Sequence, residues 1–372
     1  MIFTFDMFLQ RFKLNDQVTY EEFRRRLSVL NGSDTTGTFA VRSDIETFVA
    51  RVSRGDDRPK NLERYTRNLY RMLVVEPEIS LKVWFDKYCE LRIPLNDHFH
   101  LPSNPPMIDK VFYGQTNSKY GRLCKNINFS KFYNTKKLYA NDFEYTFGLM
   151  RAMYEDFKVR NSLVSPAFFK YVLAGDYKAI WGVFMMGANR ASVFNPVIYK
   201  QIMDNLFEGT TLFAPCMGWN AYQLGFYSAT NTTWSHFIST DVIPEVVQNG
   251  RDLHELWEEQ KSNIFGNGKT VDLYCCPSEQ LNTRHNFVGK YVNQVDAVLF
   301  SPPYYDLEIY DSPEQSVVSY PEYQDWLRGY WEETVKLCSE VLRPGGRFAF
   351  VISDYRNKQG ENITISTDMR DI

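Results

Sequence analysis

The chain has 372 residues, 44% hydrophobic and 16% aromatic, with a formal net charge of −3 and six cysteines. That is apolar enough for sizeable cores and long enough for two or three domains. It excludes a disordered chain, a disulfide-dense secreted scaffold and a uniformly basic nucleic-acid coat. Residues 1–105 read as a helical N-terminal domain, with helices expected near 20–30, 44–52, 61–75 and 79–91. Pro102, Pro105 and Pro106 mark its boundary. The N-terminus carries Asp6 and no basic-then-apolar leader, so no signal peptide is expected. The cysteines follow no spacing pattern, which points to a reducing, cytoplasmic setting.

Residues 106–190 form a second region. Between 110 and 141 there is no acidic residue. Lys110, Lys119, Arg122, Lys125, Lys131, Lys136 and Lys137 alternate there with aromatic residues such as Phe112, Tyr120 and Tyr133. Lysines interleaved with rings suit a nucleic-acid groove, where phosphate contacts supply affinity and rings supply stacking. A solvated polar loop with a few core aromatics has the same pattern. The basic run between Arg51 and Arg71 is diluted by Asp56, Asp57 and Glu63, and reads first as a charged helix face. Helices are expected near 142–158, 165–174 and 176–188. The apolar stretch 179–188 is shorter than the roughly 20 residues a membrane span needs, so no membrane association is expected. His98 and His100 read as loop or surface groups. Adjacent Cys275 and Cys276 lack metal-site spacing, so no metal is expected.

From 191 to 372 strands and helices alternate, the pattern of a parallel α/β sheet. Asn195-Pro196 opens a helix to Leu206. Strand 211–213 enters the loop Ala214-Pro215-Cys216-Met217-Gly218-Trp219-Asn220, and a helix follows over 221–229. A strand, a glycine-bearing loop and a helix aim backbone N–H groups at a polar ligand. Strand 237–241 ends in Asp241, about 20 residues beyond the loop, where an acid commonly accepts from a ribose hydroxyl. Strand 271–276 leads to Ser278 and Glu279. Strand 295–300 then meets Ser301-Pro302-Pro303-Tyr304. Two prolines cannot continue a strand, so the backbone must turn out at its carboxyl end. A hydroxyl, a carbonyl and a ring are fixed there. Two convergent acceptors can orient the N–H groups of an exocyclic base amine, and a Tyr ring can stack on the base.

This motif resembles the Asp/Asn/Ser-Pro-Pro-Tyr/Phe signature of the S-adenosylmethionine-dependent DNA amino-methyltransferases. The wider run through Tyr310, Glu314-Gln315-Ser316 and 323–327 resembles a phage-type branch of that family. The resemblance implies a Rossmann-like methyltransferase domain over 191–372. Ser301, Pro302, Pro303 and Tyr304 would be catalytic. Asn195, Pro196, Pro215, Cys216, Gly218, Asn220, Asp241, Ser278 and Glu279 would bind S-adenosylmethionine. The target would be a base amine of DNA in a bacterial or phage-infected cell. Serine at the first motif position favours cytosine N4 over adenine N6. The loop departs from the family's Asp-Pro-x-x-Gly-x-Gly, since Ala214 replaces the acid and Asn220 the second glycine. Two rivals follow: a methyltransferase-fold scaffold without catalysis, and an enzyme acting on RNA or protein glutamine. After the strand at 348–352 too few residues remain for the family's last helix and strand pair. A fragment, a naturally short sheet, or completion by a second chain or another copy would each account for this.

Overall fold

The computed structural model describes residues 19–21, 58–76, 79, 82, 95–102, 120–128, 166–177, 192–229, 234–261, 268–307, 309–310, 312–357 and 361–372. The chain divides into two compact units. One holds Met1–Ile2, Leu91–Thr135 and Arg190–Ile372; the other holds Phe3–Glu90 and Lys136–Asn189.

The first unit is built on five parallel strands: β1 (Thr211–Ala214), β2 (His236–Asp241), β3 (Thr270–Cys275), β4 (Val295–Phe300) and β5 (Leu342–Phe350). Their order is β3-β2-β1-β4-β5. The central strands β1 and β4 are apolar almost throughout, because a parallel sheet covered on both faces gives them no wet side. Leu212, Phe213, Val298 and Phe300 are all buried. Helices α1 (Pro196–Leu206), α2 (Ala221–Ser228), α3 (Pro244–Lys261) and α4 (Glu333–Val341) flank the sheet unit. The strand order reverses between β1 and β4, and a crevice opens there at the carboxyl ends of the strands.

Strands β1 to β4 fall where the apolar runs predict them; β5 runs over Leu342–Phe350, earlier than the expected 348–352. Helix α4 stops at Val341, three residues before Pro344-Gly345-Gly346. Arg343–Gly346 then bulges out of β5, and pairing shifts from Val295 with Leu342 to Ala297 with Arg347. Beyond the sheet, Tyr355–Arg356 and Asn362–Ile363 form a small antiparallel pair, and Ile365–Arg370 is helical.

Two segments from upstream pack into this unit. Residues 95–102 contribute Phe99, whose ring meets Tyr227 edge-on at 5.7 Å, and the Leu101 N–H, which donates to Ser228 Oγ at 3.2 Å. Here His98 corrects the sequence reading: it is fully buried on the helix Leu95–Phe99, and burial pushes its pKa down to about 4. Its neighbour His100 is exposed. Residues 120–128 carry the short helix Arg122–Ile127, described further below.

In the second unit the helix Arg58–Tyr70 continues into a wider turn over Arg71–Val75. Asn68 Nδ2 donates to the carbonyls of Val172 and Leu173 at 2.8 and 3.1 Å, capping the helix Pro166–Leu173. The helices expected at 44–52 and 142–158 lie outside the described residues, as do most of those at 20–30, 79–91 and 176–188. Among the described residues no helix is long and apolar enough to cross a membrane.

Candidate active site

A cleft of about 460 Å³ occupies the crevice at the strand ends, within the usual range for small-molecule sites. Each loop that follows a strand contributes to its wall. Pro215, Cys216 and Gly218 come from the β1 loop, and Asp241 closes β2. Ser278 and Glu279 follow β3, and Ser301, Pro302, Pro303 and Tyr304 follow β4. Sequence positions up to 89 residues apart thus converge, because parallel strands deliver all their carboxyl ends to one edge.

The β1 loop and the Pro-Pro turn are joined directly. The Ser301 N–H donates to the Tyr222 hydroxyl at 2.9 Å, and that hydroxyl donates back to the Ser301 carbonyl at 3.3 Å. Cys216 Sγ donates to the same carbonyl at 3.1 Å. Tyr222 itself stacks on Tyr199 at 4.6 Å, and Tyr199 donates to the Leu299 carbonyl at 2.8 Å. The Ser301 main chain is therefore saturated, while no described residue hydrogen-bonds its hydroxyl. Tyr304 is oriented from the β5 side. Its hydroxyl lies 3.1 Å from Ser353 Oγ and accepts the Ser353 N–H at 3.2 Å, and its ring meets Tyr355 edge-on at 5.7 Å.

The loop that follows Gly218 is left-handed at consecutive non-glycine residues, Trp219 (φ 58°) and Asn220 (φ 66°). Asparagine tolerates that region better than most residues. Asn220, Asn195 and Pro196, expected at the cofactor, do not reach the cleft wall. The Asn220 amide turns inward, donating to the Val246 carbonyl at 3.2 Å. Asn195 caps α1 by accepting the Val197 N–H at 3.0 Å, and Pro196 takes the first turn of the helix, where a missing N–H costs nothing. The chain just ahead of them, Ser192, Val193 and Phe194, reaches the wall instead.

Several wall residues went unread in the sequence. Trp219, Tyr222 and Tyr330 supply rings. Trp219 belongs to the glycine loop itself and Tyr222 to the helix that follows it; Tyr330, far from either loop in sequence, looks like an ordinary core position of a helix. The loop after Tyr304 adds Leu307, Tyr310, Glu314 and Gln315 to the wall. Gln315 accepts the Tyr310 N–H and donates to the Tyr310 carbonyl, at 2.8 and 2.6 Å. Ser312 Oγ donates to the Val242 carbonyl at 2.9 Å, and Glu314 pairs with Arg284 at 2.8 Å. Tyr310 meets Trp219 edge-on at 5.7 Å.

The charges of the wall are one-sided. Asp241, Glu279 and Glu314 line it, and no Lys, Arg or His does among the described residues. Burial pushes Glu279 up to about 7 and Asp241 up to about 6; for Asp241 the N–H groups of Ile243, Met217 and Val242 oppose the shift. Glu279 Oε1 is buried with no hydrogen-bond partner among the described residues, an acceptor awaiting a donor. No group of three or more residues among those described could hold a metal ion.

These raised values make a prediction. The ordinary value for Glu279 is 4.5. Between that pH and about 7 the folded protein keeps a proton that the unfolded chain has released. Stability therefore falls as pH rises through this window. Glu279→Gln should flatten that part of the decline and make the variant more stable than the parent at alkaline pH. Urea melts across the window check this; a parallel decline in both proteins would refute it.

Of the expected nucleic-acid contacts, Lys110, Lys119, Lys131, Lys136 and Lys137 lie outside the described residues. Lys125 is half-buried on the helix Arg122–Ile127, which also carries Arg122.

No protein-family model and no curated protein matches this chain.

Proposed function

We propose that the chain is an S-adenosylmethionine-dependent methyltransferase acting on an exocyclic base amine of DNA, with cytosine N4 favoured over adenine N6. The observation that carries the reading is the joining of the Ser301-Pro302-Pro303-Tyr304 turn to the glycine loop across a cleft lined by acids and no cations. Dinucleotide sites on related strand orders place a pyrophosphate at the glycine loop. Here Asp241, Glu279 and Glu314 would repel such a group and would favour a cation such as a sulfonium. The fit extends to hydrogen bonding. Asp241 stands at the end of β2 where a ribose hydroxyl would donate, and Glu279, a wall residue, carries a buried acceptor without a partner among the described residues.

S-adenosylmethionine, when bound, supplies an electrophilic methyl group. The chain's own task is to present the amine. The Ser301 hydroxyl and the Pro302 carbonyl accept its two N–H groups, which aims the nitrogen lone pair into the cleft. Tyr304 supports the face of the base. The nitrogen attacks as a neutral amine and sheds its proton afterwards, so positioning and electrostatics supply the catalysis without a strong base. In duplex DNA the amine is engaged in pairing, so the target base must leave the stack. The basic stretch 110–141 is the candidate contact for the phosphate backbone.

Transfer of tritium from labelled S-adenosylmethionine to DNA tests this. Tyr304→Ala should lower the rate roughly tenfold to a hundredfold, the worth of about 1–3 kcal/mol of base stacking. Ser301→Ala should lower it at least as far by loss of an acceptor. Equal label with parent and variants would take these residues out of the chemistry. Label appearing only with RNA or protein substrate would reassign the acceptor. A folded parent that fails to bind the cofactor would favour the scaffold reading, which the loop's departures at Ala214 and the inward-turned Asn220 motivate.

A further inference from the structure

Asn128 lies within the stretch 110–141 but is neither basic nor exposed. It is 1% exposed and sits one residue past the helix Arg122–Ile127. Its Nδ2 faces three acceptors: Asn220 Oδ1 at 2.8 Å, the Trp219 carbonyl at 3.1 Å and the Cys124 carbonyl at 3.0 Å. Its Oδ1 accepts from Asn249 Nδ2 at 3.0 Å, and Asn249 also donates to the Ile127 carbonyl at 2.7 Å. Besides Cys124, the partners are the two left-handed non-glycine residues of the glycine loop and a side chain of α3. Single residues in that conformation persist only where their surroundings hold them.

We infer that Asn128 is a positioning residue for the glycine loop, holding Trp219 and Asn220 in their left-handed conformation. A second glycine at position 220 would adopt this backbone freely. Asparagine there brings a buried amide that needs partners, and Asn128 and the Val246 carbonyl supply them. Removing Asn128 leaves the Trp219 carbonyl without this donor and the Asn220 oxygen buried and unpaired. The loop then relaxes toward right-handed backbone, and Gly218 and Trp219 leave the cleft wall. The loop therefore depends on a segment 91 residues upstream in sequence. The positioning role stands on the cofactor-free geometry; its consequence for S-adenosylmethionine rests on the function proposed above.

Two measurements separate these claims. The first is amide hydrogen exchange on the cofactor-free protein. In Asn128→Ala, exchange over 217–222 should quicken roughly tenfold or more, the effect of one buried hydrogen bond lost, while β1 and β4 keep the parent's protection. Asn249→Ala should do the same more weakly. Unchanged exchange over 217–222, or a uniform rise across the sheet, overturns the positioning role. The second is calorimetric titration with S-adenosylmethionine. Asn128→Ala should bind roughly tenfold more weakly at unchanged stoichiometry; reduced stoichiometry at the parent's affinity would mean only a lower folded fraction and would refute the link to binding. A parent that does not bind refutes that link together with the cofactor reading, and the exchange result still decides the positioning role.

Discussion

If the proposed function holds, Gly218→Val should abolish S-adenosylmethionine binding and methyl transfer together. Gly218 has φ +50°, and a Cβ placed there would lie 2.4 Å from Tyr222 Cζ. Left-handed backbone costs an ordinary residue about 1–2 kcal/mol, and a β-branched one more. The clash adds to this, because Tyr222 cannot retreat without releasing both main-chain groups of Ser301. The combined loss should exceed about 3 kcal/mol, or roughly a hundredfold in affinity. Calorimetry and tritium transfer should fall in step. Gly345→Ala is the control: it too has positive φ (+82°), but lies in the β5 bulge with open space around its Cβ, so it should leave binding intact. If the valine variant bound the cofactor as the parent does, the glycine loop would not be the cofactor's seat.

Trp331→Ala should cost about 3–5 kcal/mol of folding stability, the range for deleting a large buried aromatic. Trp331 is 1% exposed. Its ring packs on Phe300 at 6.1 Å, Phe348 at 6.2 Å and Phe350 at 4.9 Å. Its indole N–H donates to the Met369 carbonyl at 2.7 Å, so truncation also orphans a buried acceptor. It thus ties β4, β5 and the final helix Ile365–Arg370 into one core. Urea unfolding should show the midpoint shift at unchanged slope. A loss below about 1 kcal/mol would mean that this corner of the sheet repacks freely.

The sheet and the cleft were legible in the residues to different depths. β1 and β4 could be read because a parallel strand covered on both faces needs an unbroken apolar run, and Gly218 and Pro302 punctuate where each one ends. The convergence of Asp241, Glu279 and Ser301 followed, since parallel strands bring their ends to the same edge. What hid was set by contacts without periodicity. Asn128 meets Asn220 through side-chain amides, and no spacing announces such a pair. The burial of His98 follows from the packing of residues 95–102 into the sheet unit, which a five-residue helix cannot advertise. Asn195 was misplaced because helix capping and ligand binding ask for the same residue type; only the Val197 N–H on its oxygen separates the two. Glu314-Gln315-Ser316 entered only through the family resemblance, and the Gln315 clasp on Tyr310 is a local loop bond with no sequence signature.

The doubled grip of Tyr222 on Ser301 has a consequence for how the cleft breathes. With amide and carbonyl held by one phenol, the wall facing β1 and the wall facing β4 are tied to each other and should move together. The opposite rim is fastened differently: a hydroxyl on Val242, an ion pair at Arg284, one ring edge on Trp219. These are separate and partly wet latches, weakened by salt or by a competing guest. The contacts of Tyr310, Ser312 and Glu314 should therefore loosen before the bonds that hold Ser301.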